Sequence, residues 1–303
     1  MTVEDPARLA RIVPPLRRAL LYRRHHGRLP PLRDPRTFTE KLNRRIARDR
    51  RPVLAPTCDK LAGKEHFAAR APGLVRVPET YWTGTDVAGL AAAGLPERWV
   101  LKPNHSCRRV LVGEGPPDVA DLAARTTGWL GERYWRKSEE WAYRHARPLL
   151  LAEEHVGEPG EVPADLKVLV FDGVPRLVGV HTGRQGEHRA RLYTADWEPL
   201  PWTWGYPPGP DVPRPGWLPD LLAASAAVAA GFDMLRVDLY RHAGHLWAGE
   251  LTPYPGAGLG RLEPDLDALL GSWWRLPESR PARLPAARLR PVLPGIIGPL
   301  VRR

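Results

Sequence analysis

The stretch Arg236 to Gly256, RVDLYRHAGHLWAGELTPYPG, holds the pattern that decides the fold. It predicts two strands joined by a short turn at residues 242–244. Each strand carries one carboxylate in an apolar run, Asp238 in the first strand and Glu250 in the second. Burying a carboxylate without a partner is very costly, so each of these two must be paired or must bind a cation.

The residues around the two carboxylates indicate a site for magnesium and phosphate. Arg236 and Asp238 point to one face of their strand, because strand side chains alternate with period two. Mg²⁺ takes one or two carboxylates and leaves its other positions to water and phosphate. Thr252 and a turn at residues 254–256 follow Glu250, so backbone groups there can approach a ligand. The alternative is a buried structural ion pair.

The composition is that of a globular protein with about two domains. The 303 residues are enough for two domains or for one multi-lobed domain. No apolar run reaches the roughly 20 residues that cross a bilayer, and the N-terminal segment lacks the apolar region of a signal peptide. We therefore expect a cytoplasmic protein. Two cysteines, Cys58 and Cys107, are too few for a disulfide framework or a cysteine-built metal site.

The net charge of +11 is concentrated at the two ends of the chain. Residues 1–51 hold 15 Lys and Arg against 5 Asp and Glu, and residues 275–303 hold 7 against 1. The ends therefore carry +16 together and residues 52–274 carry −5. Basic ends suit an anionic partner, and we consider peripheral association with an anionic membrane surface, with no nucleic-acid partner expected. The alternative is a solvated surface with biased codon usage.

Local patterns predict a helical first quarter followed by strands. Residues 15–26 form a basic helix with leucines on one face, and residues 37–40 form a capping box that opens a second helix. Residues 118–146, rich in Trp and Arg, are predicted as one long helix, and residues 172–173 as the turn of a hairpin. The Pro/Arg-rich tail from Pro277 is predicted to be poorly ordered.

Several polar positions suit a nucleotide, and each has an ordinary alternative. Lys102 ends an apolar strand, where a Lys can reach phosphates, although a surface charge is the more frequent role. Residues 153–156, Glu-Glu-His-Val, follow a buried strand and can form a hinge that reads adenine, but many strands end in acidic residues. Asp165 and Lys167 share a strand face and are alternatively a surface pair. The Cys/His pair in residues 104–107 lacks the spacing of a thiol nucleophile.

A basic cluster and an aromatic stretch are candidates for substrate binding. The cluster can bind a carboxylate, with plain surface charge as the alternative, and consists of His181, Arg184, His188, Arg189 and Arg191. The aromatic stretch can stack on a sugar or a peptide, or can be a loop braced by prolines, and contains Trp202, Trp204, Tyr206 and Trp217.

In this order the motifs resemble the ATP-grasp fold and, within it, the teichuronopeptide-biosynthesis (TupA-like) branch. The similarity runs from about Asp34 to Pro264, and its stretches are Asp34 to Leu42, Asp59-Lys60, Trp99 to His105, His181 through Trp197 and Gly249 to Gly258. The resemblance implies an α+β fold with two lobes that clasp ATP. The implied parts are a basic helical N-terminal region (1–75), a first lobe (76–152), a second lobe with the metal site (153–276) and a basic tail (277–303).

The resemblance also implies where the nucleotide lies. Lys102 and Lys167 would contact the ATP phosphates, and Asp165 would meet the ribose. The hinge would line the adenine, through Glu153, Glu154 and Val156.

The metal and catalytic roles follow from the same resemblance. Asp238 and Glu250 would hold Mg²⁺, with Thr252 beside them. Arg236 would stabilise the transferring phosphoryl group, and Lys102 would assist it. These residue types make chemical sense, because phosphoryl transfer depends mostly on positioning and on charge neutralisation.

The loop after the first nucleotide strand departs from the family pattern. The family has a glycine-rich loop there, whereas residues 106–109 read Ser-Cys-Arg-Arg, with no glycine until Gly113. Backbone approach to a phosphate is harder without glycine, although Arg108 and Arg109 can supply charge instead.

The resemblance implies an ATP- and Mg-dependent carboxylate–amine ligase that works through an acyl phosphate. Its substrates would be a small carboxylate, such as an amino acid or peptide, and an amine or an anionic glycan acceptor. One alternative is a non-catalytic nucleotide-binding protein attached to an anionic surface by its basic ends. Another is a kinase that releases its phosphorylated product.

Overall fold

Two β-sheets joined by helices form the part of the chain that the structure describes. The structure is a computed structural model, and it describes residues 14–158, 163–183 and 186–277. The α-helices of these ranges are α1 (Pro14–His26), α2 (Phe38–Arg48), α3 (Lys60–Arg70), α4 (Val119–Thr126), α5 (Trp135–Ser138), α6 (Leu218–Val228) and α7 (Pro264–Trp273). The strands are β1 (Val75–Arg76), β2 (Thr80–Gly84), β3 (Arg98–Pro103), β4 (Leu111–Glu114), β5 (Leu150–Glu154), β6 (Asp165–Phe171), β7 (Val174–Thr182), β8 (Arg189–Thr194), β9 (Met234–His242) and β10 (His245–Thr252). Short 3₁₀ helices lie at Pro52–Leu54, Pro56–Cys58, Val87–Ala92, Trp141–His145 and Pro255–Gly258.

The smaller sheet is antiparallel, with strand order β2-β5-β3-β4. One face packs Trp99, Leu101 and Leu150 against apolar residues of α4 and of the 3₁₀ helix at Val87–Ala92. Because side chains alternate along a strand, Lys102 lies on the opposite face. This second face is the one that is available to a ligand.

The larger sheet has the strand order β1-β10-β9-β6-β7-β8, with β1 parallel to β10 and the other neighbours antiparallel. One face buries Val168, Val237 and their neighbours against α6. The other face packs Leu169 and Met234 against α2 and α7 at one end. The polar side chains of the opening motif occupy the rest of that second face.

Helix α3 joins the two sheets. Asp59 caps its N-terminus by accepting a hydrogen bond from the Ala62 amide at 2.9 Å. The helix contacts β10 and α6 of the larger sheet. On the other side, Lys64 donates hydrogen bonds to Thr80 at 2.5 Å and to Glu153 at 3.0 Å in the smaller sheet. The helix thus connects the larger sheet to the side chain of Glu153 in the smaller sheet.

A buried ion network fixes the N-terminal helices to the start of β9. Arg45 is fully buried and donates to Asp233 at 2.6 Å and to the Met234 carbonyl at 2.9 Å. Its guanidinium lies 4.4 Å from the ring centroid of Trp274. Arg51 donates to the other oxygen of Asp233 at 2.6 Å. Burial acts to raise the pKa of Asp233, but the two arginines and Trp274 lower it, so the carboxylate stays ionised.

Most of the predicted local elements are confirmed. The Thr37 hydroxyl accepts from the Glu40 amide and the Glu40 carboxylate accepts from the Thr37 amide at 3.1 Å, which completes the capping box. Asp172 and Gly173 have φ values of 48° and 78°, the left-handed pair that a two-residue hairpin turn needs. The β9–β10 hairpin is present as the sequence predicted.

The long helix predicted over residues 118–146 is wrong. Helix α4 ends at Thr126 and the chain turns at Gly128, where φ is 79°. The short helix α5 then ends at Glu139, whose φ of 59° is again left-handed. Only the 3₁₀ helix Trp141–His145 follows, so the segment folds back on itself.

The predicted tail lies outside the described residues from position 278 onwards, and so do residues 1–13. Among the described helices, none has the length and apolarity to cross a membrane.

Candidate functional site

A β-bulge at Gly249 brings the two carboxylates of the opening motif onto one face. On either side of it the strands pair regularly, and beyond it Glu250 lies opposite Asp238 and Thr252 opposite Arg236. A bulge inserts one unpaired residue, so the side chains after it change face. A Cβ on Gly249 would lie 2.7 Å from the Asp238 carbonyl oxygen, a distance that real Cβ atoms do not adopt. The bulge therefore depends on glycine at this position.

Asp238 is the centre of a buried charge cluster. Arg236 donates to both of its carboxylate oxygens, at 2.6 and 2.8 Å, and to the Thr252 hydroxyl at 3.1 Å. Lys167 donates to Asp238 at 2.6 Å and to Asp165 at 2.7 Å. Burial acts to raise the pKa of Asp238, but Arg236 and Lys167 outweigh it and hold that pKa below its usual range. The carboxylate is thus ionised, and both of its oxygens are paired with cationic side chains.

Glu250 faces helix α3 across a small cavity. The cavity has a volume of about 10 Å³ and is lined by Glu250, Lys60, Lys64, Cys58 and neighbouring residues. Within the described ranges, Glu250 makes no hydrogen bond or salt bridge. A half-buried carboxylate without such a partner, in register with a second carboxylate, suits a divalent cation.

The donor set fits magnesium. The described residues contain no group of three or more His, Cys, Asp or Glu side chains that could hold a metal ion. A closed zinc site needs four such ligands, whereas Mg²⁺ accepts one or two carboxylates and fills its shell with water and phosphate oxygens. Asp238, Glu250 and the Thr252 hydroxyl meet that requirement.

In the smaller sheet, Glu153 holds two lysines on the face that a ligand can reach. Its carboxylate pairs with Lys102 and, at 3.0 Å, with Lys64. Burial acts to raise the pKa of Glu153, but the two ammonium groups lower it. The structure thus brings Lys102 and Glu153 together, and it adds Lys64, which sequence reasoning missed. Its spacing of four residues from Lys60 on α3 was the available signal.

The rest of the hinge lies beside this pair. Glu154 accepts a hydrogen bond from the Glu79 amide at 3.0 Å, and the ring of His155 lies 3.3 Å from the Arg98 guanidinium. Val156 is half-buried. The side chains of Glu154 and His155 therefore contact the segments on either side of β5, and the Glu154 amide also donates to the Glu79 carbonyl at 2.9 Å.

Exposed valines continue the face that carries Lys102. Val112 pairs with Val100, which is on the same face as Lys102, and Val110 precedes it by two residues. Val110 is 57% exposed and Val112 is 48% exposed. Val112 is therefore an exposed apolar side chain on the face that carries Lys102.

Helix α3 fixes the loop that lacks glycine. Lys60 donates to the Ser106 carbonyl at 2.6 Å, and Asn104 accepts from the Leu61 amide at 2.9 Å. Arg108 is exposed and has a φ of 64°, the left-handed conformation that glycine adopts most readily. Arg109 instead pairs with Glu132 at 2.8 Å. Of the two arginines, Arg109 is thus held in an ion pair, whereas Arg108 is exposed.

Cys107 in the same loop does not have the environment of a nucleophile. Its sulfur lies 3.4 Å from the Tyr143 hydroxyl. Burial and the charge of Glu250 raise the pKa of the thiol. A reactive cysteine needs the opposite shift.

The predicted basic cluster is divided between the two faces of the larger sheet. His181 lies opposite Asp165 on the face of the charge cluster. Arg191 lies opposite the core residue Val180 and pairs with Asp211 at 2.5 Å, so it is on the other face, as is Arg189 by alternation. Arg184 lies outside the described residues.

One family model covers most of the chain. The sequence matches the family model "TupA-like ATPgrasp" over residues 40–274. No curated protein matches the chain by sequence. Among solved structures, the D-alanine–D-alanine ligase from Bacillus anthracis complexed with ATP is 12% identical, with a TM-score of 0.41 over 65% of this chain and 54% of that chain.

Two further solved structures are similar at the same level. The L-amino acid ligase from Bacillus licheniformis is 12% identical, with a TM-score of 0.40 over 73% of this chain and 43% of that chain. The N5-carboxyaminoimidazole synthase from Aspergillus clavatus, in complex with ADP and 5-aminoimidazole ribonucleotide, is 13% identical. Its TM-score is 0.43 over 65% of this chain and 44% of that chain. The chain spans about half the length of these proteins.

Proposed function

This chain belongs to the TupA-like ATP-grasp family, and we propose that it is an ATP- and Mg²⁺-dependent ligase that joins a carboxylate to an amine. The observation that carries the proposal is the register of β9 and β10. It aligns Asp238 with Glu250 and Arg236 with Thr252, on one face and beside Lys167. Phosphoryl transfer needs cations and carboxylate-held metal in such an arrangement, and needs no protein nucleophile.

The nucleotide is proposed to lie between the two sheets. Lys102 and Lys167 bind its phosphates, and Asp165 binds the ribose. A phosphate carries more negative charge than a carboxylate, so Lys102 can leave Glu153 and pair with the phosphate instead. The exposed face at Val112 offers an apolar surface for the adenine.

The hinge completes the proposed adenine site. Glu154 and Val156 lie at the end of β5 and just beyond it, and line the ring with backbone groups, while the side chain of Glu153 serves the lysines instead.

Asp238 and Glu250 are proposed to hold Mg²⁺, with Thr252 beside them. When bound, the ion neutralises charge on the phosphates. Arg236 and Lys167 keep Asp238 ionised before the metal arrives. Once nucleotide is present, Arg236 stabilises the charge of the transferring phosphoryl group.

The proposed reaction has two steps. The carboxylate of the first substrate attacks the γ-phosphorus of ATP, which forms an acyl phosphate and releases ADP. The amine of the second substrate then attacks the acyl carbon, which forms the C–N bond and releases phosphate. An amino acid or peptide is the proposed carboxylate, and a peptide or anionic glycan is the proposed acceptor. The basic ends of the chain support peripheral association with an anionic membrane surface.

Carboxylate-dependent ADP release tests this proposal. The protein is incubated with Mg-ATP, hydroxylamine as a trap for acyl phosphate, and a panel of amino acids, dipeptides and glycuronates. We expect a hydroxamate from at least one carboxylate. Asp238→Asn and Glu250→Gln should each lower its rate by about 100-fold or more, because each removes charge from the metal site.

The matched control is Asp211→Asn, which removes an exposed carboxylate that pairs with Arg191 on the other face of the sheet. Its rate should equal that of the wild type. Equal rates for the wild type and both site variants, or no hydroxamate from any carboxylate, would overturn the proposal.

A further inference from the structure

His181 lies in the charge cluster but serves none of the roles assigned so far. It is 6% exposed and sits on β7 opposite Asp165. The next position on that face is Gly179, which lies opposite Lys167, and Lys167 in turn lies opposite Asp238. A neutral imidazole thus borders the residues that handle phosphate and metal.

The ring of His181 is held in one orientation. Its Nδ1 lies 3.0 Å from Nε2 of His188. The His188 ring packs on Tyr206, with centroids 3.9 Å apart, and Tyr206 also meets the His181 ring edge-on at 5.3 Å. A Cβ at Gly179 would lie 3.3 Å from Nε2 of His181, so the glycine keeps space beside that nitrogen.

The two nitrogens of His181 therefore differ. Nδ1 is engaged with His188, whereas Nε2 makes no hydrogen bond with any other described residue. When Nδ1–H donates to His188, Nε2 presents a lone pair on the face of the site. A base held by an orienting partner in this way is the arrangement that general-base catalysis uses.

We infer that His181 is the base that accepts a proton from the attacking amine, and that His188 is the positioning residue that orients it. The inference rests on the proposed ligase function and specifies its second step. It also specifies the class of the second substrate, an amine that is protonated in solution, because such a nucleophile needs a base.

The protons balance as follows. An ammonium R–NH₃⁺ gives one proton to Nε2 of His181 and becomes the amine R–NH₂. The amine attacks the acyl carbon, the C–N bond forms and the C–O bond to phosphate breaks. The second proton leaves the nitrogen with the phosphate as HPO₄²⁻. The products are the amide R′CO–NHR, HPO₄²⁻ and His181 as an imidazolium, which then loses its proton to water.

The surrounding charges make the base depend on nucleotide. Burial, together with the charges of Lys167, His188 and Arg236, lowers the pKa of His181 to about 3, although Asp238 acts to raise it. The groups that face it are Asp165 and Lys167 from β6, Arg236 and Asp238 from β9, and His188. A triphosphate bound at Lys167 adds negative charge beside the ring, which raises its affinity for a proton. The imidazole is then basic when the acyl phosphate can form.

The two half-reactions separate the inference from the function on which it rests. Hydroxylamine is largely uncharged at neutral pH and needs no base, whereas the amino group of an amino acid is largely protonated. We compare the wild type with His181→Gln, using Mg-ATP, the carboxylate that gives a hydroxamate, and either hydroxylamine or a panel of amino acids as nucleophile.

We expect His181→Gln to keep hydroxamate formation within about twofold and to lose about 100-fold in amide formation, the low end of general-base contributions. The loss should lie in kcat, and the rise of the rate with pH through the pKa of the base should disappear. His188→Gln should lose less, because the base remains but is less well oriented. His25→Gln, on the exposed end of α1, is the control and should match the wild type.

Each outcome decides a question. Amide formation at the wild-type rate in both His181→Gln and His188→Gln overturns the inference and leaves the ligase proposal intact. Absence of hydroxamate from the wild type overturns the ligase proposal, and the inference with it. If His181→Gln does not fold, His188→Gln tests the same pair of residues. A hydroxamate rate equal to that of the wild type then shows that the first step is intact in this variant.

Discussion

The ammonium group of Lys64 lies 3.0 Å from the carboxylate of Glu153, and this salt bridge joins helix α3 to the smaller sheet. Both side chains are largely buried, with exposed fractions of 14% and 8%. Breaking a buried pair by removing one partner leaves charge that is poorly compensated. We predict that Lys64→Met lowers the free energy of unfolding by about 2 kcal/mol, less than the full cost of such a break because Lys102 remains with Glu153.

The same variant should weaken Mg-ATP binding about tenfold, because a cation beside Lys102, one of the proposed phosphate-binding residues, is lost. Urea unfolding and calorimetric titration measure the two effects. The control is Lys137→Met, since Lys137 is 63% exposed in its pair with Glu132 and should cost less than about 1 kcal/mol. Equal losses for the two variants would contradict the prediction.

Gly249→Ala should disable the metal site. The added Cβ would lie 2.7 Å from a backbone oxygen of β9, so the bulge must shift and Glu250 with it. We predict a loss of at least tenfold in Mg-dependent ADP release and about 1–3 kcal/mol of stability. Gly244→Ala is the control. Gly244 has a φ of 79°, so an alanine there also lowers stability, but it lies at the turn of the hairpin, away from Glu250. Activity lost equally in both variants would assign the effect to stability alone.

Asp59 should make stability depend on pH. Burial acts to raise the pKa of its carboxyl group, but Arg147 and two backbone amides lower that pKa to about 2. A carboxylate whose pKa is lower in the folded state stabilises the fold above its unfolded pKa of about 4 and loses that contribution as pH falls toward 2. Urea unfolding of the wild type should therefore show a fall in stability between about pH 4 and pH 2.

Asp59→Asn isolates this charge, because Asn caps a helix about as well as Asp. We predict about 1 kcal/mol less stability at pH 7, a modest figure because Arg147 is half-exposed, and a difference that shrinks as pH approaches 2. A difference that stays constant over this range would show that the ion pair is not its source.

Val112→Glu should weaken nucleotide binding without unfolding the protein. Val112 is 48% exposed on the face of Lys102, so a carboxylate there costs little in folding but repels phosphates and removes an apolar contact. We predict at least tenfold weaker Mg-ATP binding by calorimetry, with a thermal unfolding midpoint within a few degrees of the wild type. Val174→Glu is the matched control, with 45% exposure at the start of β7. The same weakening in both variants would remove the valine face from the proposed site.

The sequence predicted the elements whose signals are local. The capping box at Thr37, the hairpin turn at Asp172 and the β9–β10 hairpin each depend on residues a few positions apart, and each is present. The predicted α+β class and the family are also confirmed. The helix predicted over residues 118–146 is wrong because the chain leaves the helical conformation at Gly128, whose φ is 79°, and again at Glu139, whose φ is 59°.

The parts of the site that could not be predicted depend on pairing between distant segments. The sequence of residues 248–250 does not show that Gly249 is left unpaired, because the position of a bulge depends on how the strand pairs with its neighbour. Lys64 meets Glu153 across 89 positions, and the face on which Val112 is exposed follows from the register with β3. Likewise, His181 and Arg191 lie on opposite faces of the sheet because side chains alternate along a strand. A group of basic residues close together in the sequence does not reveal this separation.

The left-handed Arg108 has a consequence for how tightly the loop can close on a ligand. A glycine at this position would leave many backbone conformations open, and binding would have to remove them. An arginine samples fewer conformations, so less entropy is lost when the loop becomes ordered, although holding it left-handed costs about 1 kcal/mol. The loop is thus more restricted before binding than a glycine-rich loop would be, and we expect a ligand that contacts it to lose less affinity to ordering of the loop.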